Sequence, residues 1–243
     1  MDDCPSRFRR ILLKLSGEAL MGDKGFGIDP KILETIAAEV YEVYQKGLEI
    51  AIVIGGGNIF RGLNSSAYRM RRTPADHIGM LATVINSLAM GEALNNLGAG
   101  TEVMSAIDMA KIAEPFTAKR AVSHLKKNRI VLFAAGTGNP FFSTDTAAAL
   151  RAMEIEADVL LKATKVDGVY DADPEKYPSS KLFKNLTYQE YLEKGLKVMD
   201  MTSITLAMGQ KLPIIVFSLR KKGNILKVVT GQNVGTLISG ETK

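Results

Sequence analysis

The sequence predicts an α/β protein, a three-layer α/β/α sandwich around a mostly parallel sheet. Three observations lead there. Apolar runs of strand length alternate with amphipathic segments of helical spacing along all 243 residues. The runs are continuously apolar rather than strictly alternating, as strands covered on both faces are. Most links between them are short, as in strand–helix–strand units. The composition agrees. With 46% hydrophobic and 23% charged residues the chain is ordinary globular material with enough apolar content for a sizeable core, which excludes disorder, collagen and coiled coil for the whole chain.

The strand candidates are 9–15 (RRILLKL), 48–54 (LEIAIVI), 101–107 (TEVMSAI), 129–135 (RIVLFAA), 157–162 (ADVLLK), 213–218 (PIIVFS) and a short run near 236–238. The first helix is expected over 30–46, where Ile32, Leu33, Ile36, Ala37, Val40 and Tyr44 recur at helical spacing. Asp29 suits its N-cap, Pro30 its first turn, and Gly47 follows its end. A longer helix is expected over 74–97, with Ile78, Leu81, Ile85, Leu88 and Leu94 on one face. Its methionines and small apolar residues fit a buried core helix or a subunit contact equally. Shorter helices are expected over 117–127, 144–156, 187–194, 202–210 and 222–229, and Thr187 with Glu190 forms a capping-box pattern. Two stretches break the rhythm: the Gly-rich 16–29 and the polar 165–186, with turn signals at Asp167-Gly168 and Asp173-Pro174. Long connections in a compact plan tend to be functional.

Several classes drop out. The single cysteine, Cys4, cannot form an internal disulfide. The longest apolar runs fall well short of the roughly 18 residues a membrane span needs. The first 17 residues do not read as a signal peptide, because two acids precede the bases and Lys14 interrupts the apolar stretch. A soluble cytoplasmic protein is expected, with no membrane partner. The net charge of +5 comes from scattered bases, and no basic stripe is interleaved with aromatics, so nucleic acid is not an expected partner. There is no G-x-x-x-x-G-K-[ST], no complete G-x-G-x-x-G, no His/Cys cluster and no G-x-S-x-G.

In an open α/β sheet, ligands bind beyond the C-terminal strand ends. The residues there are Lys14-Leu15-Ser16-Gly17, the turn Gly55-Gly56-Gly57 followed by Arg61, the run 136–145 (GTGNPFFSTD), and Lys162 to Tyr170. Consecutive glycines let backbone N–H groups approach an anion, and an arginine fork suits phosphate. Lys14 and Lys162 each end an apolar strand. Such a lysine either snorkels to the surface or neutralises a transferring phosphoryl group. Thr144 reads as the N-cap of the helix behind it, a position that also favours anions. Asp145 has three open readings: a Mg²⁺ ligand, an organiser of the bases, or a first-turn acid.

Together the four loops resemble the amino acid kinase family, and within it the bacterial branch that phosphorylates UMP. The matching pieces are KLSGEAL at 14–20, VIGGGNIFRG at 53–62, AGTGNPFFSTDTAA at 135–148, LKATKVDGVYDADP at 161–174 and KVMD at 197–200. The resemblance spans the chain, and GTGNPFFSTD is the part specific to a nucleotide acceptor. It implies ATP-dependent phosphorylation of UMP to UDP with Mg²⁺, in a homohexamer activated by GTP and inhibited by UTP. It implies a single domain, with an acceptor half over about 1–155 and an ATP half over about 156–243. Lys14, Leu15, Ser16, Gly17, Gly57 and Arg61 would then meet the ATP phosphates, and Thr164, Tyr170 and Asp173 the adenosine end. Gly56, Asp76 and the run Thr137, Gly138, Asn139, Pro140, Phe141, Phe142, Ser143 and Thr144 would hold UMP. Gly22, Asp23, Lys24, Gly25, Phe26 and Gly27 would form the GTP-linked segment. Lys14, Arg61, Lys162 and Asp145 would carry catalysis; no protein ligand to the metal is fixed, and a contact of Asp145 with Mg²⁺ stays open. Two rivals stand beside this reading: a sister kinase with another acceptor, and a nucleotide sensor without turnover.

Overall fold

The computed structural model describes residues 6–60 and 70–240. Its core is one nine-stranded sheet. The strands are β1 (Arg10–Leu15), β2 (Glu49–Ile54), β3 (Thr101–Ser105), β4 (Glu114–Pro115), β5 (Ile130–Ala134), β6 (Val159–Thr164), β7 (Asn185–Thr187), β8 (Ile214–Ser218) and β9 (Thr236–Ser239). They lie in the order β4-β3-β5-β2-β1-β6-β8-β9-β7. Every pairing is parallel except β8 with β9. β4 and β7 are additions to the sequence reading. Both are short edge strands of two and three residues, too brief to show a hydrophobic pattern.

Seven helices cover the sheet among the described residues: α1 (Pro30–Tyr44), α2 (Arg72–Asn96), α3 (Ala118–Lys126), α4 (Thr144–Glu154), α5 (Tyr188–Glu193), α6 (Met201–Gly209) and α7 (Asn224–Val229). None is long and apolar enough to cross a membrane. Asp29 caps α1 by accepting the Lys31 and Ile32 N–H groups, and Thr187 and Glu190 close a capping box on α5. The helices split into two layers because strand side chains alternate between faces. Ile11, Leu13 and Leu15 of β1 pack with α1, α2 and α7, while Leu12 packs in the opposite layer with α3, α4, α5 and α6. Lys14 shares parity with Leu12, so it points toward α4.

The face expected for α2 is corrected. Leu81, Ile85 and Leu88 are exposed, while Ala75, Met80, Ala82, Thr83, Asn86, Met90 and Leu94 are buried. The reason is steric. α2 passes so close to Gly56 that a Cβ there would lie 2.8 Å from both the Ala82 Cβ and the Gly79 carbonyl oxygen. Only small residues fit that contact, so the face that carries Gly79 and Ala82 turns inward and Leu81, Ile85 and Leu88 turn outward, while Leu94 is buried as expected.

Between α5 and α6 the chain is locked by one side chain. The fully buried Tyr191 hydroxyl accepts the Met199 N–H at 2.7 Å and donates to the Met199 carbonyl at 3.0 Å. Burial pushes its phenol up to about 12, so it stays protonated and able to donate. Tyr191→Phe is expected to leave both backbone groups unsatisfied and to cost about 1–3 kcal/mol. Urea unfolding reads this, and an unchanged midpoint would contradict it.

Candidate active site

The sheet order reverses direction beside β1, which has β2 on one side and β6 on the other. That switch point is where an open α/β sheet offers a crevice. Lys14 and Lys162 face each other there as register partners in adjacent parallel strands. Both are buried, at 7% and 6% exposure. Two buried ammonium groups side by side repel, and the partner that holds them is Asp145 in the first turn of α4. Its two oxygens face one lysine each: Oδ1 forms an ion pair with Lys14 Nζ at 2.7 Å, and Oδ2 accepts a hydrogen bond from Lys162 Nζ at 2.5 Å. Lys162 also donates to the Val198 carbonyl. Of the three roles left open for Asp145, organiser of the two bases is the one its contacts show.

The electrostatics follow. Burial works to raise the Asp145 carboxyl, but the two lysines outweigh it and hold the group at about 2. For Lys162 the balance goes the other way. Burial and the Lys14 charge together exceed the pull of Asp145 and lower it to about 8. The trio carries two positive charges against one negative. It therefore retains a surplus of positive charge in a low-dielectric setting, suited to the oxygens of an incoming phosphate.

Asp145 is placed by the cap of its own helix. The cap is Ser143 rather than Thr144: the Ser143 Oγ accepts the Asp145 and Thr146 N–H groups at 3.1 Å each. Thr144 instead takes the first helical position and turns toward the glycine turn, its Oγ1 lying 3.4 Å from where a Gly55 Cβ would sit. Ser143 donates in turn to Asp200, which also accepts Thr146 Oγ1 at 3.1 Å and caps α6 through the Ser203 N–H at 2.8 Å. Asp200 is thus a site residue to which sequence reasoning assigned no role, although it closes the KVMD match. Its position before Met201-Thr202-Ser203 is an N-cap signal, and the link to α4 is purely tertiary.

The acceptor run 137–144 forms a loop after β5 with unusual backbone. Ala135, Gly136, Gly138 and Phe141 all have positive φ, between 60° and 79°. Holding non-glycine residues there costs energy unless neighbours determine it. Thr83 Oγ1 accepts the Ala135 N–H at 2.8 Å, and the buried Arg151 donates to the Gly136 carbonyl at 3.3 Å. Asp76 accepts the Phe141 N–H at 2.8 Å and also pairs with Arg72 at 2.7 Å. A cavity of roughly 130 Å³ lies between this loop, α2 and the glycine turn. Gly56, Asp76, Thr137, Asn139, Phe142, Ser143 and Thr144 line it, so most of the acceptor residues expected from sequence converge. Gly138, Pro140 and Phe141 do not line it, and Phe141 contributes its backbone to Asp76 instead.

The turn after β1 packs against this cavity's wall. A Cβ on Gly17 would overlap the Gly55 carbonyl oxygen and Asn58 Oδ1, so only glycine lets the 14–17 and 55–57 turns meet. Leu15 ends β1 fully buried, and Ser16 stands at its exit. Thr164 ends β6 two residues past Lys162, and its Oγ1 accepts the Val166 N–H at 3.1 Å. Tyr170 bridges to Leu182, and Asp173 caps the local turn through the Glu175 N–H at 3.0 Å. None of these three lines the cavity. Gly57 does line it. Arg61 lies outside the described residues. The 22–27 loop forms a short 3₁₀ turn, Gly22–Lys24, tied down by a Lys24–Asp29 ion pair at 3.0 Å.

Comparison with known proteins agrees with this fold. The family model described as the amino acid kinase family matches residues 9–218. The fold superposes on a UMP kinase from Bacillus anthracis with a TM-score of 0.94 and 39% identity, covering 97% of each chain. A UMP kinase from Ureaplasma parvum matches at 0.90 and 36% identity, over 96% of this chain and 99% of that one. A uridylate kinase from Archaeoglobus fulgidus matches at 0.74 and 28%, over 94% and 99%. A family match across most of the chain, together with 36–39% identity to two relatives over nearly its whole length, means that this protein belongs to the amino acid kinase family.

Proposed function

We propose that this chain transfers the γ-phosphoryl group of ATP to UMP, giving UDP and ADP, as an enzyme of cytoplasmic pyrimidine nucleotide synthesis. The observation that carries the reading is the Lys14–Asp145–Lys162 trio, its lysines buried where β1 and β6 end, in a fold whose glycine turn and 137–144 loop line a common cavity. Similarity to UMP kinases over nearly the whole chain supports the same acceptor.

In this reading an oxygen of the UMP phosphate attacks the γ-phosphorus of ATP. The new P–O bond forms as the bond to the β-phosphate bridging oxygen breaks, and ADP leaves with that electron pair. The nucleophile is already ionised at neutral pH, so no strong general base is required. Positioning and charge neutralisation suffice. Lys14 and Lys162 supply the charge, and Asp145 fixes their spacing. Gly57 and the 14–17 turn meet the ATP phosphates, with Arg61 as the sequence-based bridging donor. Thr164, Tyr170 and Asp173 take the adenosine end. Gly56, Asp76 and residues 137–144 hold UMP, with Asp76 suited to the ribose hydroxyls. The ATP phosphates would carry Mg²⁺, which would supply charge neutralisation there. The donor set fits a metal carried by phosphate and water, because both Asp145 oxygens are already committed to lysines.

The acceptor half is assigned to about 1–155 and the ATP half to about 156–243, with the lysine pair at their seam. Regulation by GTP and UTP extends the same reading, with Gly22–Gly27 as the GTP-linked segment. Assembly into a hexamer is supported by the outward stripe of Leu81, Ile85 and Leu88 on α2, exposed by 50%, 50% and 37%. Contiguous apolar surface of this kind is what a subunit contact covers.

The direct test is ADP release from ATP and Mg²⁺ with UMP, CMP, carbamate, acetylglutamate or aspartate. Release with UMP is expected, and release with a carboxylate or carbamate alone would overturn the acceptor assignment. Lys14→Ala should lower turnover by about 10²-fold or more, the scale of losing one preorganised charged donor.

The pH profile tests Lys162. Its depressed ammonium is charged below about 8 and neutral above it. As kcat/KM reports the free enzyme, it should fall as pH rises through about 8. Lys162→Arg should lose that limb, since guanidinium does not titrate there. A flat wild-type profile to pH 10 would remove Lys162 from the charge-stabilising role.

Ile85→Glu is expected to reduce the assembly mass in light scattering. An unchanged mass would put the contact elsewhere.

A further inference from the structure

Behind the glycine turn sits a pair of asparagines that the mechanism above does not use. Asn58 and Asn86 are buried, at 1% and 0% exposure. They bond to each other reciprocally: Asn86 Nδ2 donates to Asn58 Oδ1 at 2.7 Å, and Asn58 Nδ2 donates to Asn86 Oδ1 at 3.0 Å. Each has a second amide hydrogen, and each spends it on backbone. Asn86 Nδ2 donates to the Gly55 carbonyl at 2.7 Å, and Asn58 Nδ2 donates to the Gly27 carbonyl at 2.9 Å. The Gly27 N–H returns a bond to the Asn58 carbonyl at 2.8 Å. All four amide hydrogens of the pair are therefore used.

We propose that Asn86, acting through Asn58, is a positioning residue for the phosphate-gripping turn and couples that turn to the 22–27 loop. The inference rests on the reading of Gly55–Gly57 as a phosphate site. Three consecutive glycines leave a turn with no side chains of its own to hold its shape. Its amide directions must be set from outside. Asn86 sets them on one side by holding the Gly55 carbonyl. Asn58 sets them on the other, since its Oδ1 borders Gly17 and its side chain reaches Gly27. A buried network with every donor satisfied is rigid, and a shift at Gly27 is passed to Gly55 through two hydrogen-bonded side chains rather than through solvent. The 22–27 loop and the glycine turn are otherwise separated by the whole of α1 in sequence.

The test compares Asn86→Ala with Met90→Ala in the full-length chain. Met90 is equally buried one turn along α2, packs only in the core, and controls for lost stability. The readouts are kcat and KM for ATP and UMP well below the melting temperature, and amide hydrogen exchange over 22–29 and 55–60. Asn86→Ala should lower kcat by about 10-fold or more, as small misplacement of a reacting group does, and any rise in KM should reach UMP as well as ATP because Gly56 and Gly57 border the UMP cavity. It should also speed exchange in both segments, while Met90→Ala leaves kcat and both segments near wild type. Asn86→Ser, which keeps a short donor, should recover part of kcat, and it replaces the alanine variant if that one does not fold. Equal losses of kcat in Asn86→Ala and Met90→Ala, or exchange that rises at 55–60 alone, would overturn the proposal. A wild-type chain inactive toward UMP would defeat the functional reading, while the exchange comparison would still judge the clamp.

Discussion

Two buried ammonium groups share one carboxylate at the end of the central strands, and much of the surrounding architecture serves to keep that arrangement in place. Lys14 and Lys162 are register partners, so parallel pairing of β1 with β6 brings their charges together whether or not a ligand is present. Such a pair is tolerable at low dielectric only with a counter-charge between them. Asp145 supplies it, and its position depends on the start of α4, which depends on the Ser143 cap. Asp200 holds that cap and starts α6, and the Val198 carbonyl two residues earlier takes a hydrogen from Lys162. The Tyr191–Met199 lock fixes the segment in between. Strand register, two helix caps and one buried phenol thus converge on a single carboxylate.

On the other side of the lysines the constraint is close approach. The 14–17 and 55–57 turns meet backbone to backbone, and α2 meets Gly56 through Gly79 and Ala82. That contact excludes bulky side chains from α2 around Gly79 and Ala82, while Met80, Val84, Met90 and Leu94 are buried beside it and Leu81, Ile85 and Leu88 face outward. The same helix supplies Thr83 to the positive-φ turn at Ala135 and Asp76 to Phe141. One helix therefore shapes the glycine turn, supports the strained loop after β5 and offers an apolar surface, three tasks that a helix packed only for burial would not combine.

Much of this was legible in the sequence. Continuously apolar strands and intervening helices follow from local pattern, and each expected strand and helix has its counterpart within a few residues. The site loops were legible because glycine, hydroxyl and lysine clusters fall just after strands. Other features were not. β4 and β7 are too short to carry a pattern and exist because a neighbouring edge offers unpaired backbone groups. The exposed face of α2 could not be read from periodicity, since the apolar stripe and the small-residue stripe both recur at helical spacing. Asp200, Thr83, Asn58 and Asn86 look like ordinary caps and polar residues until their distant partners are known.

What the sequence determined by itself is what is local: strand and helix propensity, caps at Asp29 and Thr187, and glycines where backbone must approach backbone. It also placed Lys14 and Lys162 each at the end of a strand, while leaving a solvated surface role open for both. Only the tertiary structure decided between those roles. Registering β1 on β6 buried both ammonium groups beside each other, and α4 brought Asp145 between them. The physical reason is that burial and charge pairing are properties of neighbours distant in sequence, so the electrostatic character of these lysines exists only once the sheet has closed around them.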